Sequence, residues 1–285
     1  MIVAFTEGPT VDAAGNVFFT ETTNNRILKL GTDGKLSVFR EKSNATNGLL
    51  FDLEGRLLAC EGDPAAARVT RTDMQTGKMT VLADRYQGKR FRAPNDLTID
   101  SGGRIYFTDQ NRGAPDPDRV DTPGVYRIDP DGSVSRILAS PDIEVPNGIQ
   151  ISPDDKTLYL VESNQAAGGA RMLRAYDLQP DGTVRNSRVF HQFYPGRSAD
   201  GLAIDTQGNV YAAAGLNRRR GTSETLDTKC GVYVFSPKGE QLQFIPIPED
   251  TLTNLAFGGP DRRTLYATAG KTLFRIPVTV PGTPR

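Results

Sequence analysis

Apolar and polar residues alternate along most of this chain in short runs, each broken by Gly, Pro, Asp or Asn, and the spacing of 3.6 that marks an amphipathic helix is almost absent. The runs recur as a larger unit. A polar residue, usually followed by Gly or Asp, opens an alternating apolar strand; an Asp- and Gly-rich turn follows, and a second strand ends near an acid. Glu7 to Glu21, Asn47 to Glu61 and Asn95 to Asp109 have this form, and the series continues from Asn147 to Glu162, Asp200 to Ala214 and Thr253 to Ala269. Successive starts lie 40, 48, 52, 53 and 53 residues apart. Each unit then supplies further strands, such as Arg26-Ile-Leu-Lys-Leu, Gly124-Val-Tyr-Arg-Ile and Val232-Tyr-Val-Phe. Turns such as Pro130-Asp-Gly and Pro180-Asp-Gly separate these strands. Four short strands per period of about fifty predict an all-β, six-bladed β-propeller with four-stranded blades, residues 1–285 forming a single domain. The sixth unit ends one strand short, so Ile2-Val-Ala-Phe5 is expected to supply its outer strand and close the ring.

Composition narrows the partners. Lys plus Arg and Asp plus Glu each number 34, so no net field draws the chain to nucleic acid or an acidic membrane. No run of eighteen apolar residues occurs, and the first residues lack the regions of a signal peptide. The expectation is a soluble protein, cytoplasmic in preference to exported, with its oligomeric state open. Cys60 and Cys230 fall in units on opposite sides of the ring and are expected to be buried and unbridged.

The chemistry is bounded by one histidine. His191 lies among aromatic residues in Val189-Phe-His-Gln-Phe193, which favours packing, and neither a Ser-His-Asp triad nor a multi-histidine zinc site can be assembled. No phosphate-binding glycine loop is present. Carboxylates and amides remain, and they stand at the head of each unit as Glu7, Asn47, Asn95, Asn147, Asp200 and, in the sixth, Thr253. The bland alternative is that these Asn-Gly, Asn-Asp and Asp-Gly pairs only form turns. Arg218-Arg219-Arg220 could bind a carboxylate or phosphate at the rim, although three successive arginines on a loop also suit a solvated face.

The stretch Tyr86-Gln-Gly-Lys-Arg-Phe-Arg-Ala-Pro-Asn-Asp-Leu97, with Phe107-Thr-Asp109 after it, resembles the gluconolactonase group of the superfamily that also holds senescence marker protein (regucalcin) and luciferin-regenerating enzyme. Glu7-Gly-Pro, Asn47-Gly-Leu, Pro146-Asn-Gly, Asp200-Gly and Asn254-Leu-Ala-Phe-Gly-Gly-Pro-Asp261 match in the same order. The resemblance implies a six-bladed propeller with one divalent cation in its channel, its ligands falling on Glu7, Asn147 and Asp200, with Asn95 beside the metal and substrate. In a propeller the innermost strands start at one end of the channel, so these residues should converge. Two carboxylates and neutral amide oxygens suit a hard cation, Ca²⁺ first, with Mg²⁺, Mn²⁺, Zn²⁺ or Fe²⁺ as alternatives.

The activity implied is hydrolysis of a cyclic ester, a sugar lactone, the cation polarising the carbonyl and acidifying water. Asp200 is then the candidate base and Asn95 the residue that holds the developing oxyanion. Arg92, Asn95, Asn111 and Glu61 are candidate substrate contacts. Gln110-Asn111-Arg112-Gly113 departs from the family's usual aromatic and proline residues, and so bears on which lactone is used. The rival readings are an organophosphate or other ester hydrolase on the same metal and a non-catalytic ligand-binding propeller.

Overall fold

The computed structural model describes residues 3–110 and 116–284 and contains no helix among them. Among the described residues six antiparallel blade sheets follow one another along the chain, each a meander whose sequence order is its spatial order, with a small ribbon of Arg85–Tyr86 and Lys89–Arg90 between the second and third. Five have four strands. The innermost strands are Thr6–Val11, Thr46–Phe51, Pro94–Ile99, Pro146–Ile151, Ala199–Ile204 and Leu252–Gly258. These six pack against their neighbours around a central channel, giving the six-bladed propeller.

Packing occurs between blades. Five apolar clusters among the described residues each join two successive blades; Phe18 and Ile27 of the first meet Leu49, Phe51 and Leu57 of the second. Between the second and third, Phe91 is fully buried, edge-on to Phe107 and Tyr126. The alternation read from sequence is thus burial on both faces of each sheet, with solvent reaching mainly the outer strands such as Val184–Gln192. His191 lies on that strand with its ring 4.5 Å from Phe235, and burial lowers its pKa. Cys60 and Cys230 are buried and free.

Closure differs from the expectation. The sixth sheet has three strands, and Val3 to Phe5 join no sheet, while residues 1 and 2 lie outside those described. The ring closes instead through the innermost strands. Thr6 donates its N–H to the carbonyl of Gly270 at 2.8 Å, and Thr253 donates its hydroxyl to the carbonyl of Thr6 at 2.9 Å. The chain before Thr6 is held over the first blade, where Ala4 donates to Glu21 and Thr22 donates to the Phe5 carbonyl.

The innermost hairpins share an irregularity. Each shifts register just after its head residue, between Glu7 and Thr10, Thr46 and Leu49, Pro94 and Leu97, Pro146 and Ile149, Ala199 and Leu202, and Leu252 and Asn254. A regular strand sends consecutive side chains to opposite faces, whereas a bulge re-aims one of them. Asn95 and Asp96 can therefore both face the channel, one at its mouth and one deeper. Glycine follows four of the heads because the next blade closes on it. A Cβ at Gly148 would stand 2.2 Å from the Asp200 carbonyl oxygen, and one at Gly201 2.0 Å from Oδ1 of Asn254.

Candidate functional site

The bulges deliver five of the six head residues to one cavity at the channel mouth. Its volume is about 560 Å³, and Glu7, Asn47, Asn95, Asn147 and Asp200 line it. The sixth is absent. Thr253 is fully buried, its hydroxyl committed to Thr6 and to Thr268, so it serves closure. Glu7 and Asn95 are buried apart from the atoms they show the cavity, and Asn147 donates to Oγ of Ser163 at 3.2 Å.

The acids that end the second strands aim these heads. Asp109 accepts the backbone N–H groups of Arg92 and Ala93, fixing the chain just ahead of Asn95. Glu162 accepts those of Glu144 and Val145, just ahead of Asn147, and Glu21 accepts that of Ala4, ahead of Glu7. Burial with these bonds has opposing effects on a carboxyl group. For Asp109 burial prevails, and the pKa is raised to about 7.

This arrangement corrects two of the candidate contacts. Glu61 is buried away from the cavity and accepts from Arg68, Thr70, Asn44 and Arg40, so its carboxylate is consumed in holding the second blade. Arg92 is also off the cavity wall. Its guanidinium donates to the carbonyl oxygens of Val120 and Asp121, clamping the connection before the third blade's third strand. Asn111 lies outside the described residues. Gln110, next to it, does line the cavity.

One residue that sequence reasoning missed stands in the site, together with one from the arginine run that the sequence left between a rim anion site and a solvated face. Arg197 donates from Nη2 to Oδ2 of Asp200 at 2.6 Å while its Nη1 donates to the Leu252 carbonyl at 2.9 Å, and it is 6 % exposed. The signal available was only its position three residues before Asp200, in a segment without periodicity. Arg220 separates from its neighbours: Arg218 and Arg219 are exposed, but Arg220 is half-buried and lines the cavity. The loops after the second strands of blades four and five contribute Asn164, Gln165, Ala166 and Arg220 to the wall. Arg171 ties these loops together. Fully buried, it donates to the carbonyls of Asn164, Gln165 and Ala166 on one loop and to Ser223 on the other.

The donor set fits a hard cation. Among the described residues no three His, Cys, Asp or Glu side chains cluster for a metal, so a cation here would rest on Glu7, Asp200, amide oxygens and water. Deeper in the channel Asp96 accepts from Nδ2 of Asn254 at 3.3 Å. Burial raises the Asp96 pKa to about 7, with nearby Asp200 adding to the effect.

A six-bladed propeller with a carboxylate-and-amide cavity at one mouth of its channel defines the architectural class, and the sequence comparisons define the family. The SMP-30/Gluconolactonase/LRE-like region profile matches residues 5–271, and the chain belongs to that family. It is 30% identical over 302 aligned positions to the gluconolactonase of Zymomonas mobilis, covering 96% of this chain and 78% of that one. The pentonolactonase XacC of Haloferax volcanii is 25% identical, with 83% and 78% covered. Among solved structures, a gluconolactonase of Xanthomonas campestris superimposes with a TM-score of 0.81 at 30% identity, covering 98% of this chain and 87% of that one.

Proposed function

We propose that this chain hydrolyses a sugar lactone at the channel mouth. The observation that carries the reading is the convergence of Glu7, Asn95, Asn147 and Asp200 from four blades on one cavity, each aimed by a bulge and three of them braced by a buried acid behind. A scaffold without chemistry has no use for two carboxylates facing a common space, since each loses hydration there. Relatives named gluconolactonase and pentonolactonase support the substrate class. The wall does too. Apart from Phe5, Val145 and Ala166 its side chains are polar, which suits a hydroxylated ring better than an apolar phosphotriester.

In this reading the carboxylates of Glu7 and Asp200 and the amide oxygen of Asn147 would hold a divalent cation, calcium before magnesium or manganese, with Asn95 beside it. When bound it supplies Lewis acidity at the ester carbonyl and acidifies water. Asn95 donates its amide N–H toward the carbonyl oxygen, a bond that strengthens as negative charge develops there. Asp200, oriented by Arg197, takes the proton of the attacking water. That proton ends on the ring oxygen as the ester C–O bond breaks, and the product is an open-chain hydroxy acid. Arg171 acts at one remove by fixing the loops that shape the wall.

The test is turnover by the purified protein on a panel of aldonolactones and phosphotriesters. Saturable hydrolysis of a lactone above its spontaneous rate is expected. Hydrolysis of phosphotriesters alone would move the assignment to the rival ester class, and inertness on both would refute a hydrolytic role.

A further inference from the structure

The charges on the cavity wall are unevenly placed. Among the described residues its acidic members are Glu7 and Asp200, and its cationic members, Arg197 and Arg220, stand together toward blades five and six with Thr251 beside them. Arg197 is neutralised by Asp200. Arg220 is not paired in this way. Its one hydrogen bond among the described residues goes to Oγ1 of Thr251, a neutral acceptor, although a guanidinium carries five N–H donors. Asp200, Glu224 and Asp250 lie within electrostatic reach without pairing with it. Burial and the neighbouring Arg197 both lower its pKa, evidence that the charge sits in an unfavourable place. A half-buried cation with unused donors facing a cavity is stabilised when an anion enters.

The balance of charge among the described wall residues points the same way. They carry two carboxylates and two guanidiniums, and a divalent cation held by the carboxylates would leave this set doubly positive. Hydroxyl groups of a neutral aldonolactone can be met by amides on the wall such as those of Asn47 and Gln165 and do not call for this excess.

We propose that Arg220, backed by Thr251, forms an oxyanion subsite, and that the substrate is an anionic lactone bearing a carboxylate or phosphate remote from its ring ester. This rests on the lactonase reading and specifies its substrate class. The remote anion takes no part in bond making. It fixes the ring so that its ester carbonyl faces Asn95. A guanidinium presents two parallel N–H groups to either oxyanion, so both members of the class are compatible with the site.

The experiment compares D-glucaro-1,4-lactone with D-glucono-1,4-lactone, and 6-phospho-D-glucono-1,5-lactone with D-glucono-1,5-lactone, so that each anionic lactone has a neutral counterpart of the same ring size. The parent, Arg220→Met, Arg220→Lys and the exposed Arg218→Ala are each measured. The expected result is a kcat/KM ratio favouring at least one anionic lactone in the parent, reduced roughly ten- to a hundredfold in Arg220→Met. Arg220→Lys should retain part of it and Arg218→Ala all of it. Whichever pair shows the effect distinguishes carboxylate from phosphate. A parent that prefers the neutral lactones in both pairs overturns the inference while leaving the lactonase reading intact, as does an equal loss on both members of each pair in Arg220→Met. Should no lactone be opened, that reading fails, and calorimetry with D-glucarate and 6-phosphogluconate decides the subsite separately. Binding of either that depends on Arg220 supports it, and absence of such binding overturns it.

Discussion

Replacing Arg171 with Met should loosen the cavity wall without touching it. The guanidinium, 1 % exposed, donates to the carbonyl oxygens of Asn164 at 2.9 Å, Ala166 at 2.8 Å, Gln165 at 3.1 Å and Pro195 at 2.7 Å. Some acceptors have substitutes. The Pro195 carbonyl also receives the Thr225 N–H, that of Ala166 the Gly169 N–H, and that of Gln165 the Ser223 hydroxyl. Among the described residues Arg171 is the one donor to the Asn164 carbonyl. One bare buried carbonyl costs about 1–3 kcal/mol, and the lost charge-assisted bonds add to that, while a methionine of similar length recovers packing and removes a buried charge. The net loss is about 3 kcal/mol. For a chain of this size, at about 2 °C per kcal/mol, the melting temperature should fall by about 6 °C. Hydrogen exchange should accelerate in residues 164–170 and 215–229, the two loops that Arg171 joins, with KM for the lactone rising more than kcat falls. A variant that melts within about 1 °C of the parent with unchanged exchange in both loops would refute the claim that this side chain holds the wall.

Two further substitutions separate chemistry from support. Asn95→Ala should lower lactone turnover roughly 10²-fold by removing the donor to the developing oxyanion, while cation affinity is largely kept by Glu7, Asn147 and Asp200; loss of the cation together with activity would make Asn95 a primary ligand instead. Asp109 has a folded pKa raised to about 7 from an ordinary value near 4, so its contribution to stability is fully present below about pH 4 and is lost as the pH rises through about 7. Replacing it with Asn removes this dependence, and the melting-temperature advantage of the parent over Asp109→Asn should therefore shrink between pH 5 and pH 8; an advantage that grows over that range contradicts the assignment.

The ring and its mouth were legible because they are written as a repeat. Six Glu-, Asn-, Asp- or Thr-headed strands recurring every 40 to 53 residues specify six blades, and five of the heads gather where the innermost strands begin. The bulges were not legible, since they depend on how the facing strand pairs, yet they explain why Asn95 and Asp96 both look into the channel. Glu61 was misassigned because a terminal acid reads the same whether it faces a ligand or a loop. A better signal lay across the hairpin, where Glu61 stands opposite Arg68 and Glu21 opposite Arg26, cross-strand ion pairs that use up the carboxylate. Arg92 illustrates the same limit, its side chain being turned to the Val120 and Asp121 carbonyls by a connection of no regular pattern. The N-terminal run was expected to supply an outer strand because the sixth unit ends one strand short. The hydrogen bonds of Thr6 and Thr253 accomplish closure without it, and such contacts between the two ends of the chain leave no periodic trace.

Central to the proposed reaction is a divalent cation held between Glu7 and Asp200 during lactone opening. The most direct measurement is lactone hydrolysis by the chelator-treated protein as calcium is titrated back, in the parent and in Glu7→Gln. Activity should vanish on chelation and return with calcium in the parent, and Glu7→Gln, lacking one of two balancing charges, should need a concentration higher by at least roughly tenfold to regain it. Full activity after chelation, or an identical calcium dependence in the two proteins, would contradict it.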